Sequence, residues 1–153
     1  MTSVKVMSAA IGMVLMSQSV QAENFYLVDV YNRATLIAGS TIRDIGPQRK
    51  AAEVHDVGFL DEDVATFEFD CRLQQTRDLG HRLYWLHSGS LELTGTKEGT
   101  DWLPLPGTAA ARSIFAFVCA WPKVDEKIES GEFADDASLV ASVSESILDM
   151  PAK

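Results

Sequence analysis

Two cysteines, Cys71 and Cys119, constrain this 153-residue chain more than any other feature. Their weight depends on where the chain goes, and the N-terminus speaks to that. Met1–Ala22 has the pattern of a secretory signal peptide: Lys5, then an apolar run over Val6–Met16, then a polar stretch with Val20 and Ala22 at the small-residue positions before a cleavage point between Ala22 and Glu23. The run of 11 residues is shorter than the ~20 a membrane-spanning helix needs. Uncleaved alternatives are an N-terminal anchor or a buried helix. No cysteine follows the run as a lipid-attachment site, so the expected product is periplasmic or secreted, without a lipid anchor.

In an oxidising compartment an even cysteine count points to a disulfide. A bridge closing a 48-residue loop contributes about 4 kcal/mol in the chain-entropy model, comparable to the net stability of a small domain. Two free buried thiols and an intermolecular pair are the alternatives. Neither cysteine has a metal-ligand partner at close spacing, and there is no C-x-x-C redox motif.

Removing the signal leaves 12 basic and 22 acidic residues, a charge of −10. An acidic chain lacks the basic footprint of a nucleic-acid binder. About 131 residues are enough for one core, and no other segment is long and apolar enough to span a membrane.

The mature chain reads as mostly strand. Asn24–Asn32 is rich in β-formers, Ala34–Ile45 continues extended to a turn at Gly46-Pro47, and Arg49–Leu60 alternates imperfectly. Leu60–Asp63 reads as a polar turn. Val64–Cys71 alternates strictly, placing Ala65, Phe67, Phe69 and Cys71 on the core side. Gln75–His87 is a further strand, Ser88–Thr100 a polar exposed excursion, and Asp101–Thr108 a proline-pinned loop. Ala109–Ala120 opens after Thr108, a good N-cap, with three alanines in its first turn; helix is favoured, a strand at Ser113–Cys119 being the alternative.

Residues 123–153 carry three basic and eight acidic side chains. Asp136 is placed to cap a helix whose stripe is Leu139, Val140, Val143, Ile147 and Leu148. The stripe fits a terminal helix docked on the sheet or frayed in solvent, or a helix that binds a partner.

The order of landmarks resembles the surface-adhesin protein E family of small exported bacterial proteins. They are Phe67-Glu68-Phe69-Asp70-Cys71, an arginine-bearing strand with Arg77 and Tyr84, Trp102-Leu103-Pro104-Leu105-Pro106-Gly107-Thr108, and Phe117-Val118-Cys119, with Ser40-Thr41-Ile42-Arg43 upstream. The likeness covers Thr35–Cys119. It implies an antiparallel sheet packed against a helix, the two cysteines bridged, and host-protein binding of the adhesin kind; it offers no catalytic residues.

The fold expected is therefore α+β: an antiparallel sheet of five to six strands, a short helix, one disulfide and a C-terminal amphipathic helix. The domains expected are a signal over 1–22, an adhesin-like domain over 23–121 and an acidic extension over 122–153. Among candidate chemistry, His55, His81 and His87 lack metal-ligand spacing, so no metal or cofactor is expected. Asp61, Glu62 and Asp63 read as a solvated hairpin tip. Arg72, Arg77 and Arg82 are read as balancing Glu68, Asp70 and Asp78 across strands, the alternative being a clamp for an anionic ligand or partner carboxylates. No nucleophile elbow, phosphate loop or dinucleotide fingerprint occurs. The expected activity is protein–protein binding at the bacterial envelope, with Trp102, Trp121, Leu139, Val143 and Ile147 as candidate contacts and no catalytic residues. An envelope-maintenance role or a small periplasmic hydrolase is the alternative.

Overall fold

Strand residues that are apolar on both sides need cover on both faces of their sheet, and this chain supplies it with two helices. The structure, a computed structural model, describes residues 22–30, 32–123, 128 and 130–148, without the side chains of Ile147 and Leu148. The signal-like segment, apart from Ala22, lies outside the described residues. Nine strands form one antiparallel sheet among the described residues: β1 (Glu23–Val30), β2 (Ala34–Ala38), β3 (Arg43–Gly46), β4 (Arg49–Val57), β5 (Asp61–Asp70), β6 (Gln75–His87), β7 (Ser90–Glu98), β8 (Leu103–Pro104) and β9 (Ser130–Phe133). The order is β7-β6-β5-β4-β2-β1-β9, with β3 on β4 and β8 on β6. The helices are α1 (Ala109–Ala120) and α2 (Asp136–Leu148).

β2 (ATLIA) is buried at all five positions. Ile37 faces α1, in a cluster with Val54, Phe69, Phe117 and Val118. Ala34, Leu36 and Ala38 face α2, in a cluster with Phe25, Val57, Leu139 and Val140. The period-two reading of β5 holds: Phe67, Phe69 and Cys71 pack in the α1 cluster. Val64, on the opposite face, is also buried.

α1 is a helix, as favoured, and Thr108 Oγ1 accepts from the Ala111 N–H at 3.2 Å. The disulfide joins Cys71, just beyond β5, to Cys119 in the last turn of α1, their Cα atoms 5.7 Å apart. It therefore clamps the helix to the strand whose aromatics it covers.

Three expectations for the strands change. Nine strands replace five to six. Ser88–Thr100 is not an excursion: it holds β7, paired to β6 through a two-residue hairpin at Ser88 (φ 51°) and Gly89 (φ 81°). Two successive positive φ values are what a right-twisted hairpin requires, and glycine meets one of them without steric cost. Leu60–Asp63 is not wholly a turn either: Leu60 (φ 62°) makes the bend and β5 begins at Asp61.

The acidic segment after residue 122 is built into the same sheet. β9 pairs with β1, and α2 lays Leu139 and Val140 on the core. Asp135, not Asp136, caps α2. Its Oδ1 accepts from the Ser138 N–H at 2.8 Å, while the Asp135 N–H donates to Ser138 Oγ at 3.3 Å, a reciprocal capping arrangement. Ser144 Oγ, buried further along α2, accepts from the Leu60 N–H at 3.2 Å and ties the helix to the β4–β5 turn.

Candidate functional site

A concavity of about 690 Å³ lies on the α1 face, beside the first turn of that helix. Its apolar wall includes Val54, Ala65, Phe67 and Ile114, with Ala109–Ala111 above. Its polar floor comes from β4, β5, β6 and the β1–β2 turn.

Two carboxylates occupy that floor. Asp56 on β4 and Asp63 on β5 are direct cross-strand partners, a pairing that like charges disfavour. Each is held from its outer side by a cation. Arg33, in the β1–β2 turn, donates from Nε to Asp56 Oδ2 at 2.9 Å, from Nη2 to the Asp56 carbonyl at 2.7 Å and from Nη1 to Asp61 Oδ2 at 2.7 Å. Gly58 leaves room for this fork: a Cβ there would collide with Arg33 Nη1 and Asp61 Oδ1. His81, on β6, places Nδ1 2.8 Å from Asp63 and Nε2 2.6 Å from Asp78. Lys97 Nζ lies 3.8 Å from Asp63.

The electrostatics follow from this layout. Burial pushes the Asp56 carboxyl up and outweighs the opposing pull of Arg33, while Asp63 and Asp61 push the same way. For His81, burial alone would lower the ring's pKa; the hydrogen bonds and charges of Asp63 and Asp78 together outweigh it, and the net shift is upward. With a carboxylate at each nitrogen, the imidazolium can donate from both.

A second polar cluster lies on the opposite face, beneath α2. His55 on β4 and Glu62 on β5 are 3% and 1% exposed, and His55 Nδ1 lies 2.6 Å from Glu62 Oε1. His55 also meets the Phe25 ring edge-on at 4.9 Å. Burial raises the Glu62 carboxyl's pKa, opposed by His55. His55 Nε2 and Glu62 Oε2 find no hydrogen-bond partner among the described residues. Each such unmet atom costs about 1–3 kcal/mol.

The residues singled out in the sequence are dispersed. His55 and His81 lie on opposite faces of the sheet, and His87 is exposed at the end of β6. Glu62 is not at a solvated tip: it is among the most buried side chains. Arg77 pairs with Glu68 through Nε at 2.9 Å, Arg82 with Glu53 at 3.1 Å, and Asp70 is held instead by Arg49 at 2.9 Å and by the N–H groups of Arg72 and Leu73. Trp102 is half-buried, with the guanidinium groups of Arg49 and Arg77 5.0 and 5.3 Å from its ring centre. Trp121 packs on Tyr26 and Phe117. Leu139 is fully buried in the chain's own core, so it offers no surface to a partner in this fold; Val143 packs beside it. Ile147 lies in α2, its side chain outside the described residues. Glu23 opens β1, and its carboxylate accepts from Ser40 N–H at 3.1 Å and Oγ at 2.6 Å.

No protein-family model, curated protein or solved structure matches this chain. The functional reading therefore rests on the two clusters and the cleft. Sequence reasoning named His81 and Asp63 but did not join them, and it passed over Arg33 and Asp56. The signal available for Asp56 was its place in the β4 alternation, on the same face as Ala52 and Val54.

Proposed function

We propose that this chain is an exported binding protein of the bacterial envelope, of the surface-adhesin protein E kind, acting by protein–protein contact and not by catalysis. The signal-like N-terminus and the Cys71–Cys119 bridge support export, and the order of motifs from Thr35 to Cys119 supports the adhesin-like kinship. The surface assigned to binding is the cleft beside the first turn of α1, and the partner's matching feature is a basic segment with apolar neighbours.

One observation carries this reading: two facing carboxylates, Asp56 and Asp63, on the polar floor of a cleft whose wall is apolar. A lysine or arginine side chain placed between them relieves their mutual repulsion while its stem lies on Phe67 and Ile114. The alternative of hydrolysis draws on the same Asp63–His81 pair. Against it, both imidazole nitrogens already face carboxylates, so neither is free to take a proton from a nucleophile.

The test is fluorescence anisotropy on the oxidised mature protein, with a labelled peptide alternating lysine and leucine and a matched glutamate–leucine peptide. The lysine peptide binds, its affinity falls as salt rises, and Asp56→Asn and Asp63→Asn each weaken it. Equal binding of both peptides, or of neither, would overturn the proposal.

A further inference from the structure

We infer that His55, Glu62 and Asp136 form a binding site for a divalent transition-metal ion of the zinc class, which fastens the start of α2 to the sheet. The three residues come from β4, β5 and the first turn of α2, and each offers a ligand atom within 4.8 Å of the other two. Two of them are almost wholly buried, and each of these two carries an unmet polar atom, Nε2 of His55 and Oε2 of Glu62. Hydrogen bonding between His55 and Glu62 uses one atom of each and leaves the others without a donor or acceptor.

The charge balance points the same way. Asp136 acts on Glu62 as a like charge. Arg82 acts on Glu62 as an opposite charge, but it is already engaged by Glu53 at 3.1 Å. Because Asp135 takes the capping role, the Asp136 carboxylate is left free of it.

One imidazole and two carboxylates suit zinc and its neighbours in the first transition row. They do not suit calcium, which takes six to eight oxygens. With metal–ligand bonds of about 2.1 Å, tetrahedral ligand atoms stand about 3.4 Å apart. Reaching that from a spacing of up to 4.8 Å requires a contraction of at most about 1.4 Å, and Asp136, the least buried of the three, has the most room to move. The fourth position falls to water. This set cannot be found by spacing in the sequence, because its members are 7 and 74 residues apart.

The experiment is calorimetric titration of the metal-free, oxidised mature protein with Zn²⁺, paired with thermal unfolding and with Co²⁺ absorption. The expected result is one zinc per chain, a raised unfolding midpoint and visible Co²⁺ bands of tetrahedral intensity. Asp136→Asn, at the least buried ligand, keeps the fold and lowers zinc affinity at least about tenfold; His55→Gln abolishes binding. His81→Gln, on the other face, leaves stoichiometry and affinity unchanged. No binding at millimolar Zn²⁺, or zinc binding that survives Asp136→Asn and is lost in His81→Gln, would overturn the inference.

Discussion

Leu139→Ala measures how far α2 belongs to the fold. The Leu139 side chain is fully buried and packs with Phe25, Leu36, Val57 and Val140. Truncating a buried leucine removes its transfer free energy and leaves a cavity, together about 2–5 kcal/mol. This site belongs at the upper end, because the sheet beneath is held on both sides by paired strands and collapses poorly. At this chain length each kcal/mol moves the unfolding midpoint by about 4 °C, so a loss of about 4–5 kcal/mol lowers it by roughly 16–20 °C. The assay is thermal unfolding followed by circular dichroism, with Glu145→Gln, on the exposed face of the same helix, as a control that moves the midpoint by less than about 2 °C. If Leu139→Ala behaves like the control, α2 is not part of the cooperative unit and its stripe is free for other partners.

Reducing the Cys71–Cys119 bridge, or replacing both cysteines by serine, costs about 4 kcal/mol of stability; identical urea midpoints for oxidised and reduced protein would contradict this. Gly89→Ala places a side chain at φ 81° in the β6–β7 hairpin and lowers stability by about 1 kcal/mol, read from denaturant midpoints. His81 makes stability depend on pH. Its folded pKa is raised, so its contribution is complete below the ordinary histidine value of about 6.5 and is lost as pH rises through the folded value. Urea midpoints of wild type between pH 6 and 9 therefore fall more steeply than those of His81→Gln; parallel curves would contradict the assignment.

The legible parts of the fold were those with an apolar rhythm. Val64–Cys71 declared its inner face through Phe67 and Phe69, Thr108 and the alanines declared α1, and Leu139 and Val140 declared the buried stripe of α2. β7 was illegible because it is an edge strand, with Leu93 exposed and Glu92, Lys97 and Glu98 facing water. Only the Ser88-Gly89 pair hinted at its hairpin. Glu62 misled for a different reason. Among Asp61 and Asp63 it looks like turn chemistry, and its burial is explained by His55 across the neighbouring strand and by a helix that starts 74 residues later. The cleft was illegible for the same reason: Arg33, Asp56, Asp63 and His81 meet only through strand register.

The proposed binding cleft is tested most directly by amide chemical-shift mapping. ¹⁵N-labelled, oxidised mature protein is titrated with the lysine–leucine peptide. The account predicts shifts concentrated at Arg33, Asp56, Asp63, His81 and Ala109–Ala111, saturating together and absent in Asp56→Asn/Asp63→Asn. Shifts gathered instead on the α2 face, or none at all, would contradict it.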